Sequence, residues 1–225
     1  MSSRFGAVAF DLDGTLYPNS RFYLRMIPFV AGNLRFLLAF SRARHIIRKE
    51  QERFPERVVG DFYGYQAGLV AGLLGIPERA GAMKEKIDAL VYRGWEPIFA
   101  GIRLFPHVRE LLGEFRAAGL KLALLSDFPP RAKLENMALA GLWDAVLCSE
   151  EIGALKPSVH SFKVMADDLD LPPEKILYVG NSRRYDVAGA RAAGMATALI
   201  AGRNGNPRAD LIFKDYRQLK AFVLK

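Results

Sequence analysis

The sequence predicts an α/β fold: a three-layer, Rossmann-like parallel sheet with a helical segment inserted after its first strand. Three observations carry this. Short apolar runs recur along the chain at residues 7–10, 120–125, 145–148, 176–179, 196–200 and 211–213. Apolar runs of this length fit strands buried on both faces. Helical spacing fills most of the intervals, and strands alternating with helices give a parallel sheet covered on both sides. Residues 18–100 break the alternation and contain no clear strand-like run.

The elements follow in order. Ala7-Val8-Ala9-Phe10 reads as a central strand ending at Asp11. The inserted region carries apolar residues at helical spacing: Phe22, Met26 and Phe29, then Leu34, Leu37 and Leu38, then Ile46 and Ile47. Two further helical groups span 62–74 and 83–91. Gly101 and Pro106 mark the return to the sheet. Val108, Leu111, Leu112 and Phe115 predict a helix that stops at Gly119. Further helices are expected over 132–140, 159–169 and 186–193. The expected division is a core of 1–17 plus 101–225 and a helical cap of 18–100.

Of the 225 residues, 51% are hydrophobic and 25% charged, an ordinary balance for a chain that buries a core. The net charge of +8 favours encounters with anions. Nucleic acid, acidic membrane and phosphorylated metabolites all qualify, but no nucleic-acid-binding motif is present. Cys148 is the only cysteine, so no internal disulfide forms; a buried strand-end thiol is expected. His45, His107 and His160 have no metal-ligand spacing. The N-terminus lacks the apolar stretch and cleavage site of a signal peptide, so a cytoplasmic protein is expected, as monomer or homodimer. Residues 26–40 are apolar but interrupted by Asn33 and Arg35. They are shorter than the ~20 residues a span needs, which predicts a buried or interfacial helix.

Chemistry concentrates at strand ends. Asp11-Leu12-Asp13-Gly14-Thr15-Leu16 follows the first strand, and alternation points Asp11 and Asp13 the same way. Ligands of open α/β sheets gather at the carboxyl ends of strands. Two carboxylates there repel one another unless a hard divalent cation such as magnesium intervenes. Thr15 can hydrogen-bond a neighbouring carboxylate. The plainer reading, two aspartates that only cap the strand, weakens because three later strand ends also carry suitable groups. Ser126 closes the second run, where its hydroxyl and the following backbone N–H, that of Asp127, suit a phosphate oxygen. Lys156, held extended before Pro157, can neutralise both phosphate and Asp11. Gly180-Asn181-Ser182-Arg183-Arg184-Tyr185-Asp186 follows the fourth run, where Asn181 and Asp186 can bring oxygens to a cation.

In this order, the four segments resemble the four motifs of the haloacid dehalogenase-like hydrolase superfamily, over about residues 5–16 and 101–220. The insertion resembles that family's helical cap, and the plan is similar to phosphoglycolate phosphatases and nucleotidase-like members. The resemblance implies that Asp11 attacks phosphorus, that Asp13 protonates the leaving oxygen and later activates water, and that Ser126, Asp127 and Lys156 hold the phosphoryl group. It implies magnesium on Asp11, the Asp13 carbonyl and the fourth motif, with Asn181 where aspartate is commoner and Asp186 contacting the ion directly or through water. The expected substrate is a small phosphorylated metabolite. A phosphomutase and a non-catalytic phosphate-binding module are the alternatives. A dehalogenase needs no acid at Asp13. The cap's basic residues, Arg21, Arg25, Arg35, Arg42, Arg44, Arg48 and Lys49, form a solvated face, bind a second anionic group, or dock an acidic membrane with help from Phe36, Leu37, Leu38 and Phe40. Trp95 is expected in packing or at a pocket rim.

Overall fold

Six parallel strands form the sheet, in the order β3-β2-β1-β4-β5-β6. The structure, a computed structural model, describes residues 4–55, 57–200 and 209–225, without the Arg21 side chain. The Arg21 half of the Arg21/Arg25 pair therefore lies outside the described residues. The strands are β1 (Ala7–Phe10), β2 (Lys121–Ser126), β3 (Ala145–Cys148), β4 (Ile176–Gly180), β5 (Ala196–Ile200) and β6 (Leu211–Phe213). The helices are α1 (Asn19–Arg53), α2 (Phe62–Leu74), α3 (Ala80–Ile87), α4 (Arg93–Phe99), α5 (Val108–Ala117), α6 (Arg131–Asn136), α7 (Ser149–Ile152), α8 (Val159–Asp168), α9 (Ala188–Ala192) and α10 (Tyr216–Val223).

Strand β1 sits at the centre because every side chain in it is apolar. Val8 and Phe10 join the core on one face, with Leu112, Phe115 and Leu122. Ala7 and Ala9 face the other side, where their small size admits Phe162, Met165 and Tyr178. Phe10 pairs with Leu124 of β2 and Val179 of β4, so the three carboxyl ends finish nearly level. The chain order reverses between β1 and β4, the place where open sheets of this kind leave a crevice for ligands.

Helices α1 to α4 fill the interval between β1 and α5 and pack chiefly on one another, around Phe36, Phe40, Val70, Met83 and Ile87. The three apolar groups expected in the first part of the insertion belong to one 35-residue helix, α1, bent at Asn33 (φ −132°, ψ 19°). Pro28 lies inside it and lacks a backbone donor. The Asn33 amide bonds the Phe29 carbonyl, 3.1 Å away, which competes with the helical backbone. By length and composition, the stretch Phe22–Arg53 is long and apolar enough to cross a membrane. Its second half is instead gripped by the sheet domain. Gln51 donates to the Gly153 carbonyl and accepts from the Leu155 N–H, both at 3.1 Å.

Two expected helices are corrected. The one expected over 132–140 ends at Asn136, because Ala138 adopts φ 51° and turns the chain away. The one expected over 186–193 begins as a wide π turn over Arg183–Val187 and becomes α-helical only at Ala188. Cys148 is buried at the end of β3, as expected.

Gly153 carries the contact between the insertion and the sheet domain. Its φ is +83°, and a Cβ there would lie 2.3 Å from the Val59 carbonyl oxygen, while its own carbonyl accepts the Val59 N–H at 3.0 Å. Gly153→Ala is expected to destabilise the fold by at least about 2 kcal/mol, the left-handed penalty plus the displaced backbone, read as a lowered urea midpoint.

Candidate active site

At the end of β1, the register fixes Asp11 under the Val179 carbonyl, which accepts its N–H at 2.9 Å. The side chain is nearly buried. One carboxylate oxygen accepts from Lys156 Nζ and the other from Thr15 Oγ1, each at 2.7 Å. Burial, with Asp186 and Asp13 nearby, pushes the Asp11 carboxyl up to about 7 despite the lysine.

Lys156 is the hub of the site. Its ammonium also donates to Asp186 Oδ1 at 2.7 Å and to the Tyr178 hydroxyl at 3.2 Å. Burial opposes its charge, but Asp11 and Asp186 hold it protonated, well above the ordinary lysine range. Asp186 is fixed in turn: its Oδ2 accepts the N–H groups of Asn181 (3.1 Å) and Ser182 (2.9 Å). This fold-back requires Gly180, where a Cβ would meet the Asp186 side chain at 2.4 Å.

Asp13 has partners of its own. Lys133 Nζ meets both its oxygens, at 2.9 and 2.7 Å, and the Tyr17 hydroxyl donates to Oδ1. Lys133 is buried, with its ammonium 4.7 Å from the Phe99 ring centroid and 5.4 Å from that of Phe128. Sequence reading missed Lys133. It stands three residues after Pro130 in a short helix whose pattern gives no sign that a lysine turns inward.

Ser126 is buried at the end of β2 and accepts the Phe128 N–H at 3.2 Å. The expectation that Asp127 contacts phosphate is corrected for its side chain. That carboxylate accepts from Arg48 Nη2 at 2.6 Å and from the Lys156 N–H at 3.1 Å. Although burial works the other way, Arg48, Lys156 and Arg44 hold it down at about 2. A fixed anion repels phosphate, so only the Asp127 backbone N–H suits that role.

Of the insertion's basic residues Arg44 and Arg48 are tied, while Arg25, Arg35, Arg42 and Lys49 are exposed. Arg48 also donates to the Lys156 carbonyl, 3.1 Å away. Arg44 pairs with the buried Glu150, Arg25 bonds the carbonyls of Ile98 and Ala100 at 2.9 and 2.7 Å, and Arg35 bonds the Leu74 carbonyl at 3.4 Å.

The fourth segment is tested as a magnesium site by its donors. Asn181 Nδ2 lies 2.7 Å from the Asp13 carbonyl oxygen and packs where a Cβ on Gly14 would sit. An amide turned about its last bond offers oxygen at the same place. Asp11, the Asp13 carbonyl and Asn181 thus supply one charged and two neutral oxygens. This set suits magnesium, which keeps several of its own waters. Asp186 Oδ1 meets Lys156 and its Oδ2 meets the N–H groups of Asn181 and Ser182; as with Asp11, whose two oxygens also hold partners, lone pairs remain for a direct or water-mediated contact with the ion. Among the described residues no group of three or more His, Cys, Asp and Glu side chains gathers as a metal site.

A family model of haloacid dehalogenase-like hydrolases matches residues 5–194, and the chain belongs to that family. A phosphoglycolate phosphatase of Mannheimia succiniciproducens is 28% identical, over 99% of this chain and all of its own. A glyceraldehyde 3-phosphate phosphatase of Methanopyrus kandleri is 29% identical, over 86% of this chain and 83% of its own. The solved L-2-haloacid dehalogenase of Xanthobacter autotrophicus superposes with a TM-score of 0.65 at 19% identity, over 98% of both chains, and shares the fold. The chain is therefore a hydrolase with an α/β core of this type.

Arg48 ties α1 to the loop that carries Lys156. Arg48→Ala leaves Asp127 with a weakened set of partners in a buried setting. It is expected to cost about 3 kcal/mol, measured by denaturant unfolding.

Proposed function

We propose that the protein is a magnesium-dependent phosphatase that hydrolyses a phosphate monoester through an aspartyl-phosphate on Asp11. The observation that carries this is the arrangement of two carboxylates with separate partners: Asp11 on Lys156 and Thr15, Asp13 on Lys133 and Tyr17. The sequence relatives named as phosphatases support the same reaction class.

Lys156 and Thr15 fix the Asp11 carboxylate, so its lone pair is aimed rather than mobile. Attack by Asp11 on phosphorus forms the acyl phosphate and breaks the ester bond, which divides one hard displacement into two easier ones. Asp13 gives a proton to the departing oxygen and takes one from the water that then attacks phosphorus. Lys133 and Tyr17 keep that carboxyl group in place. Lys156, the Ser126 hydroxyl and the Asp127 N–H hold the transferring oxygens. Magnesium, held by Asp11, the Asp13 carbonyl and Asn181, would supply positive charge against the transferring phosphoryl group.

Three outcomes are expected. In a screen of phosphate monoesters with magnesium, Asp11→Asn should abolish turnover and Asp13→Asn should lower kcat by about 10²–10⁴. Activity that survives Asp11→Asn would sink the covalent route. Because burial pushes the Asp11 carboxyl up to about 7, protons compete with magnesium for it below that pH. Affinity measured calorimetrically should fall about tenfold per pH unit below pH 7 and level off above it; a flat profile from pH 5 to 8 would contradict a site on Asp11. Asn181→Asp adds a charge beside the ion and should tighten magnesium binding by about tenfold, whereas unchanged affinity would place Asn181 outside the metal's ligands.

A further inference from the structure

One face of α1 changes character along its length. Phe22, Met26, Val30, Leu37 and Phe40 follow one another at near-helical spacing and line an open groove of about 840 Å³. The same groove ends at Arg44 and Arg48, with Trp95 and Phe128 as its opposite wall. A groove of this size, mostly apolar with a few convergent polar groups, is the usual form of a site for a partly apolar ligand. The polar groups lie at one end only.

That end adjoins the chemistry. Trp95 and Phe128, with ring centroids 5.6 Å apart, also line a smaller cavity of about 210 Å³ that contains Lys133 and Phe99. Lys133 holds Asp13, the group beside which a leaving oxygen must lie. Phe128 follows the Ser126-Asp127 turn directly. Trp95 and Phe128 thus line both the groove and the cavity beside Lys133.

Arg44 supplies an independent sign of a missing ligand group. Its side chain is 5% exposed, and Nη2 is buried without a hydrogen bond; the nearest carboxylate oxygen, on Asp127, is 3.8 Å away. Its guanidinium lies 4.1 Å from the Phe128 ring centroid. Leaving such a donor unsatisfied is costly, and an oxygen acceptor a few atoms beyond the phosphate would satisfy it. At the other end of the groove, Tyr23, Leu24 and Ile27 are each more than 60% exposed. That is an apolar exit rather than a closed pocket.

We infer that the substrate is an amphiphilic phosphate monoester, with its phosphate at Asp11, an oxygen of its linker on Arg44 and an alkyl or acyl chain along the α1 groove. This rests on the phosphatase reading and narrows it. The phosphatases among the relatives are named for short polar esters.

The test is a series of n-alkyl phosphates from butyl to decyl, below their micelle concentrations, assayed with magnesium by phosphate release. A parallel series of the non-hydrolysable alkylphosphonates is titrated by the fluorescence of Trp95 in a Trp143→Phe background. Each methylene that enters the groove should add about fourfold, so kcat/KM and phosphonate affinity should both rise at least tenfold across the series. Val30→Asp, which puts a charge in the groove, should bring the decyl-to-butyl ratio close to one. Ready hydrolysis of short esters with a flat or falling chain-length profile overturns the amphiphile assignment and leaves the phosphatase standing. Chain-length-dependent phosphonate binding without turnover of any ester does the reverse. Weak, chain-independent binding with no turnover overturns both.

Discussion

The ammonium of Lys156 lies between Asp11 and Asp186, and the rest of the site depends on it. Three buried charges, two negative and one positive, would be ruinous without close pairing. Each is met by a direct partner at 2.7 Å, and the outlying oxygens are met by Thr15 and by two backbone N–H groups. The same lysine cannot move without disturbing the insertion, because its own N–H and carbonyl are bonded by Asp127 and Arg48. The geometry around Asp11 and the seating of α1 are one mechanical unit.

That unit is positioned by features that look unrelated in sequence. Alanines at 7 and 9 leave room for Phe162 of α8 against the Tyr178 ring of β4, whose hydroxyl meets Lys156. Gly180 leaves room for Asp186 to fold beneath the strand end, and the π turn over Arg183–Val187 brings that aspartate round to the lysine.

The fold was legible because its strands are short, apolar and regularly spaced, and because Asp11, Ser126 and Asn181 stand at or just beyond strand ends, with Lys156 in the loop that follows α7. Residues whose role depends on direction were not legible. Lys133 and Tyr17 meet Asp13 only after two helices and a turn are placed, and no spacing encodes that. Asp127 stands in the right turn but faces the insertion, because Arg48 and Arg44 arrive from a helix some eighty residues earlier in the chain. The arginine pair at 44 and 48 was visible as a basic helix face. Its partners, Glu150 and Asp127, were not, since ion pairing across more than 70 residues leaves no local pattern. Helix limits failed where a single residue left the common backbone region, as Ala138 does.

The steric course at phosphorus tests the covalent role of Asp11 most directly. With a phosphorothioate substrate made chiral at phosphorus by oxygen isotopes and hydrolysed in isotope-labelled water, two successive in-line displacements, first by Asp11 and then by water, return thiophosphate with retained configuration. Inversion would mean a single attack by water, and Asp11 would then be a ligand or a base rather than the nucleophile.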